Sequence, residues 1–485
     1  MPKTHPIDEL RAQVLRMLDT LDARQPIAAT VLFKIKKKQE ALFARKADAL
    51  AAATTKLPGA RIFNYHQLTP IQSEREAGDA IEFLIYEEWG SRAEFRTQWN
   101  SEHLKGFQYS VGDLVVEGQQ PYLRFYDVPV GRGPGTGGRA LVLKTGQKGC
   151  WDSGGFPIPC CGSGQDGAVQ AGAPHPTPRY LDKGNGTVTD QLTGLTWLKN
   201  ANLFGEVSWD QALANAGQLA DGGLGLTDGS KPGDWRLPNV NEMQSLLELN
   251  NDSGPAIAPD NPFINLHAAN YWTSTSVALA PPLGWFVALA VGPPVFDLKF
   301  NIMRMWPVRG GERARIAQTG LRMCFDSFGQ TVDCSETGQD GAIQAGVPFP
   351  SPRFADNGDG TVADQLTGLI WLKNANAFGV RSWDQALQVC NSLASGSHGL
   401  ADKSGAGEWR LPNVNELRSL IDYANYGPAL PSGHPFTNVR SSLYWSSTSV
   451  ASAPNLARFV FVGVGPSVWD HKSVLMGVWP VKGGQ

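Results

Sequence analysis

Two kinds of residue carry chemistry by type and spacing in this sequence. The first is cysteine. Of six, Cys150 with Cys160 and Cys324 with Cys334 recur in register. The stretch CFDSFGQTVDC alternates around a Gly turn as a hairpin would, so cysteines at its matched ends can come within disulfide range. In an oxidising compartment these pairs are the expected disulfides, with Cys161 competing for the place of Cys160. The spacing is not that of a zinc site, and no His lies near the second pair. Cys390 falls on a helical face that reads as buried, which makes it an inert core thiol. The second kind is Asp356, Asp359 and Asp364 in DNGDGTVAD, oxygen ligands at intervals that suit calcium. The matching stretch DKGNGTVTD carries Lys183 and Asn185, and a tight Asx/Gly turn explains both. The reading is therefore no metal, with calcium in the second copy as the weaker alternative. No P-loop, dinucleotide-binding GxGxxG, G-x-S-x-G or HExxH is present.

These residues must be positioned by elements, and the elements repeat. GQDGAVQAGAPHPTPRYLDKGNGTVTDQLTGLTWLKNAN from Gly164 returns as GQDGAIQAGVPFPSPRFADNGDGTVADQLTGLIWLKNAN from Gly338. WRLPNVNE recurs at Trp235 and Trp409, YW(T/S)STSVA at Tyr271 and Tyr444, and WPV(R/K)GG at Trp306 and Trp479. An offset of about 174 residues is far longer than a solenoid unit, so these are two complete domains in tandem. Within each, Ser208 with Gln211, and Ser382 with Gln385, are S-x-x-Q capping boxes. A second helix starts at Asn239 or Asn413, with Glu242 or Glu416 three residues on. Short β-prone runs between Gly, Pro, Asn and Ser fill the rest.

Before the repeats the order reads β-α-β-β-α-β. Strands are expected at 27–35, 60–68 and 80–89, then in PYLRFYDV, with helices over 38–56 and from Ser91 onward. The first residues follow a helical period through Leu10, Val14, Met17 and Leu21 and lack the apolar core of a signal peptide. The run Lys34 and Lys36 to Lys38 reads as a solvated strand end. A net charge of −3 makes no case for nucleic acid or an anionic membrane. No apolar run is long enough to span a bilayer, so the expectation is a cytoplasmic protein without a membrane span.

TGLxWLKNAN, SWDQAL, WRLPNVNEL, YWSSTS and WPVRGG together resemble the Lcl C-terminal domain, named after a bacterial collagen-like adhesin. The resemblance implies a C-type-lectin-like fold related to the formylglycine-generating-enzyme group. It also implies a surface that recognises glycans or other extracellular polymers. Family members are generally exported, which sets the adhesin reading against the missing signal peptide. The family's variable terminal strands correspond to residues 285–303 and 458–476, where the copies differ. Trp469, His471 and Lys472, with Phe296, Leu298 and Lys299 opposite them, are the implied ligand contacts.

The N-terminal segment resembles the antibiotic biosynthesis monooxygenase family of dimeric α/β barrels. LPGARIFNYHQ from Leu57, FLIYEEWGSRAEF from Phe83 and SEHLKGF from Ser101 carry the likeness. It implies a homodimer and, in some members, cofactor-independent oxygenation of quinols or aromatics. The polar and aromatic residues for such a pocket are His103, His66, Tyr65 and Trp89, with Tyr86 and Trp99 beside them. His103 matches the family's SxHLKxF stretch and is the first choice for base or orienting residue.

The expected architecture is α+β: a ferredoxin-like dimeric α/β barrel domain followed by two tandem C-type-lectin-like α+β domains. The expected divisions are an amphipathic helix over 1–26, the monooxygenase-like domain at 27–130 and a Gly-rich linker at 131–144. The repeats follow at 145–311 and 312–485. The expected function is modular ligand binding: the repeats recognise a glycan, polymer or protein surface, no cofactor is called for, and the N-terminal domain dimerises. The alternative is a monooxygenase that the repeats target.

Overall fold

The computed structural model describes Arg11, Val14, Leu15 and residues 27–36, 38–54, 60–67, 80–89, 92–112, 114–115, 122–127, 139–250, 254–290, 292–310 and 315–483. The chain divides into two compact units, Met1–Gly138 and Arg139–Gln485.

In the first unit, β1 (Ile27–Lys36), α1 (Glu40–Thr54), β2 (Ala60–Gln67), β3 (Ala80–Trp89), α2 (Arg92–Trp99), α3 (Glu102–Gly112) and β4 (Tyr122–Asp127) follow in order. The sheet runs β2-β3-β1-β4, antiparallel throughout, which is the ferredoxin-like arrangement. β1 and β3 pair without a bulge from Ile27↔Trp89 to Lys36↔Ala80. The helix expected from Ser91 onward is two helices. Ser101 accepts from the Leu104 amide and donates to the Gln98 carbonyl, ending one helix and capping the next. Phe33, Phe43 and Phe107 meet at centroid distances of 5.2 to 6.1 Å and fill the layer between β1, α1 and α3. Of the N-terminal helix, Arg11, Val14 and Leu15 are helical, and Val14 joins this core. The 131–138 part of the expected linker lies outside the described residues.

The second unit overturns the C-type-lectin-like expectation. Repeat 1 contains α4 (Asp166–Val169), β5 (Tyr180–Asp182), β6 (Thr187–Asp190), β7 (Thr196–Leu198), β8 (Glu206–Val207), α5 (Trp209–Gln218) and α6 (Val240–Gln244). It continues with β9 (Asn270–Ser276), β10 (Leu283–Ala288), β11 (Pro294–Leu298), β12 (Met303–Arg304) and β13 (Val308–Arg309). These form two sheets, β13-β7-β6-β5 and β11-β10-β9-β12-β8. Repeat 2 opens with the hairpin β14 (Cys324–Phe325) and β15 (Thr331–Val332), then α7 (Asp340–Ile343). β16 (Phe354–Asp356), β17 (Thr361–Asp364), β18 (Ile370–Leu372), β19 (Val380–Arg381), α8 (Trp383–Asn391) and α9 (Val414–Ser419) follow. The chain ends with β20 (Leu443–Ser449), β21 (Leu456–Phe461), β22 (Ser467–His471), β23 (Met476–Gly477) and β24 (Val481–Lys482). Its sheets β16-β17-β18-β24 and β19-β23-β20-β21-β22 mirror those of repeat 1. The result is a four-bladed, propeller-like arrangement of antiparallel sheets, two blades per repeat, rather than a lectin-like α+β domain. The physical reason is strand length. Most strands span two to five residues between Gly-bearing turns, too short to show the alternation that identifies a strand in sequence.

Tryptophans hold the blades together. Trp306 donates its indole N–H to the Leu198 carbonyl at 2.7 Å and packs on Trp197 at 5.3 Å. Trp209, first in α5, donates to the Thr273 carbonyl at 2.7 Å. Both capping boxes form in each repeat, and each second-helix glutamate, Glu242 or Glu416, also takes a bidentate bond from Arg236 or Arg410.

The repeats exchange their leading arms. Asp166, in the arm of repeat 1, accepts from Thr448 of repeat 2 at 2.7 Å, while Asp340, in the arm of repeat 2, accepts from Thr275 of repeat 1 at 2.7 Å. Asn413 reaches the Ala171 carbonyl, and Asn239 reaches the Ala345 carbonyl. Each arm carries a disulfide, Cys150–Cys160 or Cys324–Cys334, so each repeat's hairpin rests on the other repeat. No helix among the described residues is long and apolar enough to cross a membrane.

Candidate functional site

The variable strand of repeat 1 borders a groove of about 510 Å³. β8 supplies Glu206, the start of β9 supplies Asn270, β11 supplies Asp297, the turn into β12 supplies Asn301 and Ile302, and β12 supplies Arg304. The geometry follows from pairing. β12 lies between β8 and β9, which sets Arg304 opposite Glu206, and their side chains bond at 2.6 Å. Arg304 Nε is buried without a protein partner. Asp297 turns one oxygen to the Leu298 amide at 2.8 Å. Beside this polar lining the chain exposes Leu298, Phe300 and Ile302, and Phe300 meets Phe328 of the second hairpin at 5.2 Å. A wall of carboxylate, amide and guanidinium beside exposed apolar rings can hold a polar ligand that has an apolar face.

The residues implied as ligand contacts separate into two layers. Phe296 is about one-third exposed and packs its ring edge on Trp285 at 5.2 Å. Trp469 is half-buried over the Arg458 guanidinium, and His471 is exposed beside Asn455. Lys299 and Lys472 are interior. Lys299 sits over Trp209 at 4.0 Å and donates to the Phe325 and Asp326 carbonyls of the opposite hairpin. Lys472 sits over Trp383 at 4.0 Å and donates to the Trp151 and Asp152 carbonyls. Burial pushes both ammonium groups down to about 8. The two lysines thus latch the exchanged arms.

The acidic stretch of repeat 2 is built as turns. Asp356 accepts from the Gly358 amide and pairs with Lys373 at 2.6 Å, and Asp359 accepts from the Thr361 amide and hydroxyl. Asp364 pairs with Arg353. No group of three or more His, Cys, Asp or Glu that could hold a metal occurs among the described residues. Cys161 is an exposed free thiol, whereas Cys390 is fully buried in the core of α8.

In the first unit, His103 is half-buried at the start of α3 with its Nε2 3.5 Å from Ser101 Oγ. Tyr65 and His66 pair with Ile85 and Leu84, while Trp89 pairs with Ala60 at the opposite end of β3. Their side chains lie outside the described residues. Trp99 is core, donating its indole N–H to the Arg11 carbonyl.

Sequence reasoning did not single out Glu206, Asn301 or Arg304. A signal existed in the alignment of the repeats with each other. Where repeat 1 has Glu206 and Arg304, repeat 2 has Val380 and Gly477, so both members of the pair change together.

Comparison with known proteins covers both units. The model of the Lcl C-terminal domain matches residues 186–309 and 360–482, and that of antibiotic biosynthesis monooxygenases matches residues 26–109. Among solved structures, a Nitrosomonas europaea protein assigned as an antibiotic biosynthesis monooxygenase is 14% identical, with 23% of this chain and 98% of that chain covered and a TM-score of 0.20. A Mycobacterium tuberculosis protein is 17% identical, with coverages of 21% and 94% and a TM-score of 0.18. A similarly assigned Caulobacter crescentus protein is 15% identical, with coverages of 23% and 95% and a TM-score of 0.19. No curated protein matches the chain.

Proposed function

The chain belongs to the Lcl C-terminal domain family, and from that membership we propose that it is a modular ligand-binding protein whose repeats recognise a glycan or similar polar polymer. The N-terminal domain serves as its dimerisation element. The observation that carries this reading is the groove of about 510 Å³ in repeat 1, with Glu206, Asn270, Asn301 and Arg304 beside exposed Phe300 and Ile302. Planar amide, carboxylate and guanidinium groups suit hydroxyl-rich ligands, and exposed aromatic rings suit the C–H face of a sugar. Dimerisation would present the grooves in multiple copies, so weak single contacts would add by avidity. The test is binding of the full chain to immobilised neutral and acidic polysaccharides. Saturable retention that the E206V/R304G variant loses is expected. Absence of binding to every polysaccharide, or equal binding by the variant, overturns the reading.

A second reading rests on the family match over residues 26–109 and on His103 beside Ser101. In it the N-terminal domain oxygenates a quinol or related aromatic without metal or flavin, and His103 draws or orients the phenolic proton. Oxygen uptake with a hydroquinone, abolished by His103→Ala, is the expected result. No uptake above the buffer rate leaves the domain as an assembly element.

A further inference from the structure

Where the two repeats meet there is a second, smaller cleft of about 80 Å³. Its walls come in equivalent pairs, Asn241 with Asn415, Ser245 with Ser419 and Leu247 with Ile421. One pair differs in charge. The position held by Gln244 in repeat 1 is Arg418 in repeat 2, and the two face each other: Arg418 NH1 donates to Gln244 Oε1 at 2.8 Å. Gln244 in turn donates to the Tyr423 hydroxyl at 3.2 Å.

Arg418 is only 6% exposed, and its Nε and NH2 are shielded from water without a protein partner. Burial pushes its guanidinium down to about 10, which leaves it charged at neutral pH. Arg458 is buried nearby, and the charge of Arg418 adds to burial in pushing it down to about 9. A buried guanidinium with two unmet donors is costly, and a second cation beside it makes the place more so. The framework does not require that cost, because repeat 1 builds the same helix and the same blade with Gln244 and Trp285 at the equivalent positions.

We propose that this cleft binds a small carboxylate, whose two oxygens accept side by side from Nε and NH2 of Arg418. That edge of a guanidinium matches a carboxylate with two parallel N–H···O bonds, which a lone ammonium could not do. Arg418 forms part of the cleft wall, and binding requires its guanidinium to turn so that this shielded edge faces the ligand, giving up the bond to Gln244. About 80 Å³ suits a carboxylate with a short aliphatic tail against Leu247 and Ile421. The site is separate from the repeat 1 groove and does not depend on the ligand-binding reading given above.

The test is thermal unfolding of the full chain in sodium acetate or propionate against sodium chloride at equal ionic strength. A Tm that climbs with the logarithm of acetate concentration, beyond the chloride response, is expected. Arg418→Gln installs the residue that repeat 1 carries there and should abolish the acetate-specific rise while leaving the basal Tm equal or higher. Arg418→Lys, which keeps the charge but not the paired donors, should weaken the rise. E206V/R304G should leave it intact. Equal responses to acetate and chloride, or an acetate response that survives Arg418→Gln, overturn the proposal. A crystal structure grown in acetate with only water at Nε and NH2 overturns it as well.

Discussion

The two repeats share a framework and differ along one groove. Arg236 grips Glu242 at 2.7 and 2.6 Å, and Arg410 grips Glu416 at 2.6 Å twice. Lys299 and Lys472 sit at the same 4.0 Å over equivalent tryptophans and hold equivalent carbonyls. At the groove the likeness ends. The Glu206–Arg304 pair of repeat 1 becomes Val380 facing Gly477, and Asn270 and Asn301 become Leu443 and Val474. These interior contacts are held constant, while four polar side chains that face the groove change, including both members of an ion pair.

Four experiments would break or sharpen that comparison. The largest effect is expected from Arg236→Ala and Arg410→Ala, each of which leaves a buried carboxylate uncompensated. Each should cost about 3–5 kcal/mol in urea unfolding, by similar amounts. A cost in one repeat alone would show that the frameworks are not equivalent. Next come the arm aspartates. Asp166 and Asp340 are both pushed up to about 6, first by burial and against the pull of two Thr hydroxyls each. The folded carboxyls thus hold their protons more tightly than the unfolded ones, whose ordinary value is 3.8. Their contribution is fully present below about pH 4 and lost as pH rises through about 6, on the order of 2–3 kcal/mol for each group. Urea midpoints should fall over that window, and Asp166→Asn and Asp340→Asn should each flatten the fall by a similar share. The latches follow. Lys299→Met and Lys472→Met each remove two charge-assisted bonds to the opposite arm, whose carbonyls keep a second donor, and should cost about 1–3 kcal/mol, with faster proteolysis of the corresponding arm. Smallest in stability is E206V/R304G, which replaces the ion pair of repeat 1 with the two residues repeat 2 carries there. Its ion pair is partly exposed, with Glu206 nearly half so, and should change stability by under about 1 kcal/mol while ligand retention drops at least about tenfold. An unchanged ligand profile would place recognition elsewhere.

What could be read from the sequence was what is local or repeated. The tandem repetition followed from motif spacing, and each S-x-x-Q or N-x-x-E box marked a helix start that the structure contains. Alternation in IAATVLFKI and AIEFLIYEEW likewise foretold the long strands β1 and β3. The same method failed on the blades. TWL and IWL look like helix or loop fragments with a buried Trp until their sheet partners are known.

By itself the sequence determined that two equivalent repeats follow a ferredoxin-like segment, because a duplicated pattern and local capping chemistry need no knowledge of distant contacts. It also determined where the two copies differ. Only the tertiary structure decided what those differences face. Lys299 directly follows β11, next to exposed Leu298, yet it is buried because the opposite hairpin, held by Cys324–Cys334, covers it. Arg418 and Gln244 are 174 residues apart and touch only because the second helices of the two repeats face each other. Such contacts depend on which segment reaches which partner across the whole unit, and sequence spacing carries no record of that.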